Sequence, residues 1–131
     1  ADGEGATKLV LVDVRGARSA RDADRAARRI GNSMLVKTAL HGGDPNWGRI
    51  LAAIGRSGAR VSTRKVSLKA GSVVLVENGA PTTYREADAA QVFARERVPL
   101  VANLGAGNAR ARVLASDLGA EYVALNADYR S

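Results

Sequence analysis

At 131 residues, 46% hydrophobic and 25% charged, the chain fits one globular domain whose core hides roughly two-thirds of the unfolded surface. It holds no cysteine, which excludes disulfides and thiolate metal sites, and its single histidine, His41, argues against an all-protein zinc site. The formal net charge of +7 raises nucleic acid, an acidic partner chain or anionic metabolites as counterparts, while aromatics at only 4% leave few stacking platforms for single strands.

The first seven residues beyond Ala1, Asp2-Gly3-Glu4-Gly5-Ala6-Thr7-Lys8, carry acid, hydroxyl and ammonium groups beside an apolar run. Chain ends are ordinarily unspecific, so this pattern suggests that the terminus helps to build a site. No basic segment followed by an apolar one marks a signal peptide, and no apolar run reaches membrane-spanning length, which predicts a cytoplasmic protein with no membrane partner.

Leu9 to Val14 is rich in valine and leucine and ends at Arg15-Gly16, predicting a buried strand and then a turn. Ser19 or Asp22 can cap a following helix in which Ala20, Ala23, Ala26, Ala27 and Ile30 recur at helical spacing. Arg15, Arg18, Arg21, Arg25, Arg28 and Arg29 flank or punctuate those positions and read first as the solvated face of an amphipathic helix. Gly31-Asn32-Ser33 is expected to interrupt it, with a second short helical piece through Leu35, Val36, Ala39 and Leu40 and a loop at His41-Gly42-Gly43.

Asp44-Pro45 suits the cap and first turn of a helix that places Ile50, Leu51 and Ile54 on one side and ends at Gly55, Ser57 and Gly58. Val61 to Lys69 and Val73 to Val76 read as strands turned at Ala70-Gly71-Ser72. Asn78-Gly79-Ala80-Pro81 reads as a loop, and Ala87 to Arg95 as a helix carrying Ala90, Val92 and Phe93. Val98 to Leu104 and Ala109 to Leu114 read as a hairpin joined by Gly105-Ala106-Gly107-Asn108. Asp117 is expected to cap a last helix through Leu118, Tyr122, Val123 and Leu125. The alternation of elements and the tight turns predict an α/β chain of α+β type: a mixed, largely antiparallel sheet with helices packed on one face, in a single domain spanning 1–131.

Few constellations carry chemistry. The Gly105-Ala106-Gly107 turn lacks the third glycine of a dinucleotide fingerprint and precedes a strand. Ser57 and Ser62 have no histidine at readable spacing for a hydrolase triad, and His41 sits in a glycine-rich loop with no carboxylate pattern that assigns it base work. Asn46, Trp47 and Arg49 stand at a helix start; either Trp47 is a buried anchor, Gly48 a point of close backbone approach and Arg49 a carboxylate's partner, or the segment touches substrate. Glycines on both sides of Glu4 let the backbone bend and present its carboxylate, while Asn126 offers donor and acceptor together and Ser131 a hydroxyl; capping and surface roles compete with binding for all three.

Asp2 to Lys8, Leu35-Val36-Lys37-Thr38-Ala39, Asp44-Pro45-Asn46-Trp47-Gly48-Arg49, Val73 to Gly79 and Asn126-Ala127-Asp128-Tyr129-Arg130-Ser131 occur in the order expected of the ornithine acetyltransferases, and nearly the whole chain resembles that family. The resemblance implies the self-processing DmpA/ornithine-acetyltransferase-like fold and a bifunctional glutamate N-acetyltransferase of arginine biosynthesis. A precursor cleaves itself before a threonine into α and β chains. The new N-terminal threonine takes acetyl from N-acetylornithine and passes it to glutamate in a ping-pong reaction, its own α-amino group serving as base.

Residue by residue, the family's binding glutamate falls on Glu4, its binding asparagine on Asn126 and its terminal hydroxyl residue on Ser131. Thr7 is not the nucleophile: the β chain should begin with threonine and this sequence begins with Ala1, so the catalytic threonine, cleavage junction and oxyanion donors are expected upstream. The chain thus resembles the C-terminal part of a β chain, inactive alone. Its implied partners are the α chain, the remaining β segment and the two substrates in an α2β2 assembly, with no cofactor, metal or nucleic acid. Two departures stand out: the region Lys65 to Leu104 is shorter and more irregular than the family pattern, and Gly119 replaces a small hydroxyl residue. The rival expectations are a paralogue acting on another N-acyl amino acid in secondary metabolism and a basic, non-catalytic nucleic-acid-binding module.

Overall fold

The computed structural model describes residues 8–36, 47–116 and 119–123. Strand β1 (Leu9–Ala17) leads into helix α1 (Ala20–Val36), followed by α2 (Trp47–Gly55), a 3-10 turn (Thr63–Lys65), β2 (Ser67–Ala70), β3 (Val73–Glu77), β4 (Ala80–Pro81), α3 (Glu86–Phe93), β5 (Arg97–Asn103), β6 (Ala109–Ser116) and β7 (Gly119–Val123). The strands form one sheet in the order β4-β3-β2-β5-β1-β6-β7. Among the described residues only the β1–β5 pair is parallel. The mixed, largely antiparallel sheet read from the sequence is therefore the architecture found. Among the described residues no helix is long and apolar enough to cross a membrane.

Alternation along the central strands explains which face is covered. Val10, Val12 and Val14 on β1 lie beside Val98, Leu100 and Ala102 on β5 and Ala115, Val113 and Ala111 on β6, and all nine are fully buried or nearly so. Their neighbours on the opposite face include Leu9, Leu11, Pro99 and Val101, which are half-buried, and Leu114, which is exposed. Helix α1 packs on β1, β6 and β7, and α3 on β2, β3 and β5. The small residues Ala23, Ala26 and Ala27 let α1 approach closely, and Ile30 and Met34 continue the same buried stripe.

That stripe corrects the expected break in α1. The helix runs through Gly31-Asn32-Ser33 to Val36 because Gly31 is itself buried and Met34 extends the apolar face one turn further. Burial outweighs a helix-interior glycine, which costs about 1 kcal/mol relative to alanine. Likewise 61–66 is not strand. Lys65 N–H bonds to Ser62 O at 2.9 Å and Val66 N–H to Thr63 O at 3.2 Å, curling the segment before β2 begins at Ser67. Asn78-Gly79 is more than a loop: both residues have positive φ (48° and 80°), and Glu77 pairs with Ala80, making a two-residue hairpin turn of the primed kind.

The expected β5–β6 hairpin does not form, because β1 lies between the two strands. The connection over residues 104–108 instead straddles the end of β1. Leu104 N–H bonds to Arg15 O at 2.9 Å, and the N–H groups of Ala106 and Gly107 to Gly16 O at 2.7 and 2.8 Å. Strand β1 accordingly continues past Val14, where the turn was expected, through an irregularity in its pairing with β6 to Ala17. Gly16 has φ +68°, and a Cβ there would stand 2.3 Å from Asn103 Oδ1. The last helix is also corrected: Gly119–Val123 is a strand paired antiparallel to β6, from Ser116–Gly119 to Arg112–Val123. Pairing with the otherwise open β6 edge prevails over the local helical spacing.

Candidate functional site

Glu4, Asn126 and Ser131 lie outside the described residues, as do His41, Asp44, Pro45 and Asn46. The strands leading toward the two termini are described. Because β6 runs antiparallel to both, β1 and β7 run parallel, with the Leu9 end of β1 level with Gly119 and the Val123 end of β7 level with Asp13. The chain thus enters β1 and leaves β7 at levels four residues apart, about 13 Å along the strands.

The described site features begin at the start of α1. Ser19 is the capping residue, its Oγ accepting the Asp22 N–H at 3.1 Å. Asp22 is buried, and its Oδ2 accepts the Arg60 N–H at 3.0 Å, a bond spanning 38 residues. This tie holds the segment after α2 against the first turn of α1 and gathers cationic side chains there. One cleft of about 460 Å³ is lined by Arg18, Ser19, Arg21, Asp22, Arg25, Gly58 and Arg60. A second, of about 450 Å³, shares Arg18 and Arg60 and adds Lys65 and the Leu104–Ala106 turn. Among the described residues the lone carboxylate lining them, Asp22, already accepts a backbone N–H, so the pair of clefts suits an anion.

A third cleft, of about 600 Å³, lies between the β3–β4 hairpin and α3, with Glu77, Arg85, Asp88 and Arg95 giving it groups of both signs. Three hydroxyls, one of them in this cleft, serve the backbone. Ser57 Oγ donates to Ile54 O at 2.7 Å and accepts the Ala59 N–H at 3.2 Å, Ser67 Oγ accepts the Asn78 N–H at 3.1 Å, and Thr82 Oγ1 donates to Val74 O. Among the described residues there is no histidine or cysteine to form a nucleophile–base pair with them. Trp47 packs partly buried against the core, as an anchor would. No described atom lies within 4 Å of a Cβ built at Gly48, so the close backbone approach expected there is absent among the described residues.

Asp13 is the charged group that sequence reasoning missed. It sits on the outer face of β1, 8% exposed, between Arg15 on its own strand (Nη2 to Oδ2 3.0 Å) and Arg110 on β6 (Nη2 to Oδ2 3.1 Å). Burial by itself raises the Asp13 pKa, but the hydrogen bonds and charges of Arg110 and Arg15 outweigh it and hold the carboxyl below its ordinary value. The only signal in the sequence was an aspartate inside a valine run, with a cation two residues later.

Comparison with known proteins decides the lineage. The ArgJ family matches residues 1–131 in full. The chain belongs to the ArgJ family. The arginine biosynthesis bifunctional protein ArgJ of Chlorobium chlorochromatii is 46% identical over 130 residues, covering 99% of this chain and 30% of the relative. That of Geobacter sulfurreducens is 47% identical over 131 residues, covering 99% and 33%. The crystal structure of arginine biosynthesis bifunctional protein argJ from Bacillus halodurans superposes with a TM-score of 0.80 at 38% identity, over 98% of this chain and 57% of that one. The chain therefore spans about a third of the length of the curated ArgJ relatives it matches. The ornithine acetyltransferase resemblance and the mixed sheet both agree with this family and with its solved fold.

Proposed function

We propose that this chain is the C-terminal portion of the β chain of an ornithine acetyltransferase, moving acetyl from N-acetylornithine to glutamate in arginine biosynthesis. The observation that carries the reading is the family match over residues 1–131, together with relatives named arginine biosynthesis bifunctional proteins. In this reading the nucleophile is a threonine in family sequence that this chain does not span. Its Oγ attacks the acetyl carbonyl, the amide C–N bond breaks, and ornithine leaves as the amine. The glutamate amine then attacks the resulting ester, the ester C–O bond breaks, and N-acetylglutamate departs with the threonine hydroxyl restored. The threonine's α-amino group relays the proton.

The chain's own contribution is substrate binding: Glu4 pairs with a substrate ammonium, and Asn126 and Ser131 hold its polar backbone end. Autocatalytic cleavage of the precursor, a cytoplasmic location and an α2β2 assembly belong to the same proposal.

The test is acetyl transfer from N-acetylornithine to glutamate, measured for the chain alone and combined with the remaining family polypeptide, with mass spectrometry of the acetylated peptide. Transfer only by the combination, through a threonine outside residues 1–131, is expected. Transfer by the chain alone would overturn the placement of the nucleophile, and no transfer by the combination would overturn the activity. A panel of acyl donors separates this reading from a paralogue using another N-acyl amino acid. The arginine-lined clefts favour one further reading, a nucleic-acid-binding module. Filter binding with no salt-dependent affinity for RNA or DNA would dismiss it.

A further inference from the structure

We propose that the outer face of the sheet, around Leu11, Pro99 and Leu114, is the surface on which the rest of the ArgJ-family polypeptide docks. The inference rests on the reading that this chain works together with that polypeptide, and adds where the two meet.

An antiparallel sheet that turns its second face to water is ordinarily polar there. Here the helices α1 and α3 attach where the valine face is fully buried. The opposite face is polar at the middle of β1, where Asp13 stands between Arg15 and Arg110, but toward the Leu9 end it presents Leu9, Leu11, Pro99 and Leu114. Leu11 on β1 stands between Pro99 on β5 and Leu114 on β6 in the strand register, so the three form one continuous row across the sheet. Leu114 is 37% exposed, one of two large hydrophobic residues exposed among those described. A cleft of about 300 Å³ opens at this row, lined by Leu9, Leu11, Val98, Pro99 and Leu114 with Arg95 and Arg97 at its margin. Among the described residues its lining is apolar with two guanidiniums and no carboxylate, whereas the clefts beside α3 and at the start of α1 are lined mainly by polar and charged side chains.

The occupant follows from size and charge. Curated relatives carry about twice as much additional polypeptide as this chain supplies, and the solved Bacillus halodurans chain extends well beyond the part matched here. An apolar row flanked by arginines fits a segment of that polypeptide bearing aliphatic or aromatic side chains with carboxylates beside them.

The chain's lack of cysteine makes the test direct. Leu114→Cys installs a single thiol on the outer face, and Ala87→Cys, on the exposed side of α3, serves as the control. Maleimide labelling is followed by mass spectrometry of the tryptic peptide, for the chain alone and assembled with the remaining family polypeptide. The Leu114→Cys thiol is expected to label readily in the isolated chain and about tenfold or more slowly in the assembly, while Ala87→Cys labels equally in both. Circular dichroism checks the fold; should Leu114→Cys misfold, Pro99→Cys probes the same row. Unchanged labelling in the assembly overturns the proposal. So does a thiol protected in the isolated chain in a concentration-dependent way, which would assign the face to a second copy. Protection without acetyl transfer keeps the docking surface and rejects the activity, whereas failure to assemble rejects both.

Discussion

Arg110 reaches from β6 to Asp13 on β1, Nη2 to Oδ2 3.1 Å, closing a clamp that Arg15 completes from the other side. The clamp stabilises the charged form of a buried carboxylate, and its sign sets the pH dependence. Because the folded pKa of Asp13 lies below its ordinary value, its contribution is present above the unfolded value, about 3.9, and is lost as pH falls through the folded one. Asp13→Asn should therefore cost about 1–3 kcal/mol near neutral pH, and the gap should shrink once the wild-type carboxylate is protonated. Urea midpoints between pH 2 and 7 check this; a gap constant with pH would show that the charge of Asp13 is not what the arginines hold.

Asp22 does two jobs at once, standing in the first turn of α1 and accepting the Arg60 N–H. Asp22→Ala removes both and leaves a backbone donor to find water. A loss of about 1–3 kcal/mol is expected, against about 1 for Ser19→Ala, which removes the cap alone. Hydrogen exchange separates the causes: the Arg60 amide should lose protection in Asp22→Ala and keep it in Ser19→Ala.

These two carboxylates also mark how far the sequence could be read. Valine and leucine runs located β1, β3, β5 and β6 because buried strand positions demand such residues, and the alanine spacing located α1. What escaped were relations between distant residues. The Gly105-Ala106-Gly107 turn has hairpin chemistry, yet nothing local reveals that β1 inserts between the strands it joins. Gly119 to Val123 suits a helix or a strand, and only the β6 edge decides. The Asp22–Arg60 tie spans 38 residues and leaves no periodic trace. Candidate binding residues were a different matter. Glu4, Asn126 and Ser131 came from matching motifs to a family, since the residues alone favoured capping and surface roles.

Gly79 is a sharp test of the β3–β4 turn. Its φ is +80°, and a Cβ there would come within 2.5 Å of Arg64 Cα and 2.8 Å of Thr63 O, backbone atoms that cannot swing aside. Its N–H also bonds to Val66 O at 2.8 Å. Gly79→Ala should cost about 1–3 kcal/mol from backbone strain, with the steric clash adding to it. Asn78→Gly relieves a positive φ without adding atoms and should be nearly neutral. Thermal unfolding of the pair decides; equal loss in both would mean that the side chain of Asn78, not the crowding at Gly79, holds the turn.

The binding role proposed for Glu4 predicts a split between KM and kcat in the complete enzyme. A carboxylate paired with a substrate ammonium acts in the bound state and is remote from the acyl carbon. Removing it weakens binding and spares both self-cleavage and the chemistry of the acetyl-enzyme. A hydrogen bond to a charged group contributes about 1.5–3 kcal/mol, so Glu4→Ala should raise KM for N-acetylornithine roughly ten- to hundredfold. Glu4→Gln keeps the size and loses the charge. It should fall near Glu4→Ala if the ammonium is the partner, and near wild type if Glu4 only shapes the backbone between Gly3 and Gly5. An acyl donor lacking the ammonium tests the same pair from the other side, since it should be used equally by wild type and Glu4→Ala. Unchanged KM in both variants would remove Glu4 from the site and leave Asn126 and Ser131 to be tested on their own.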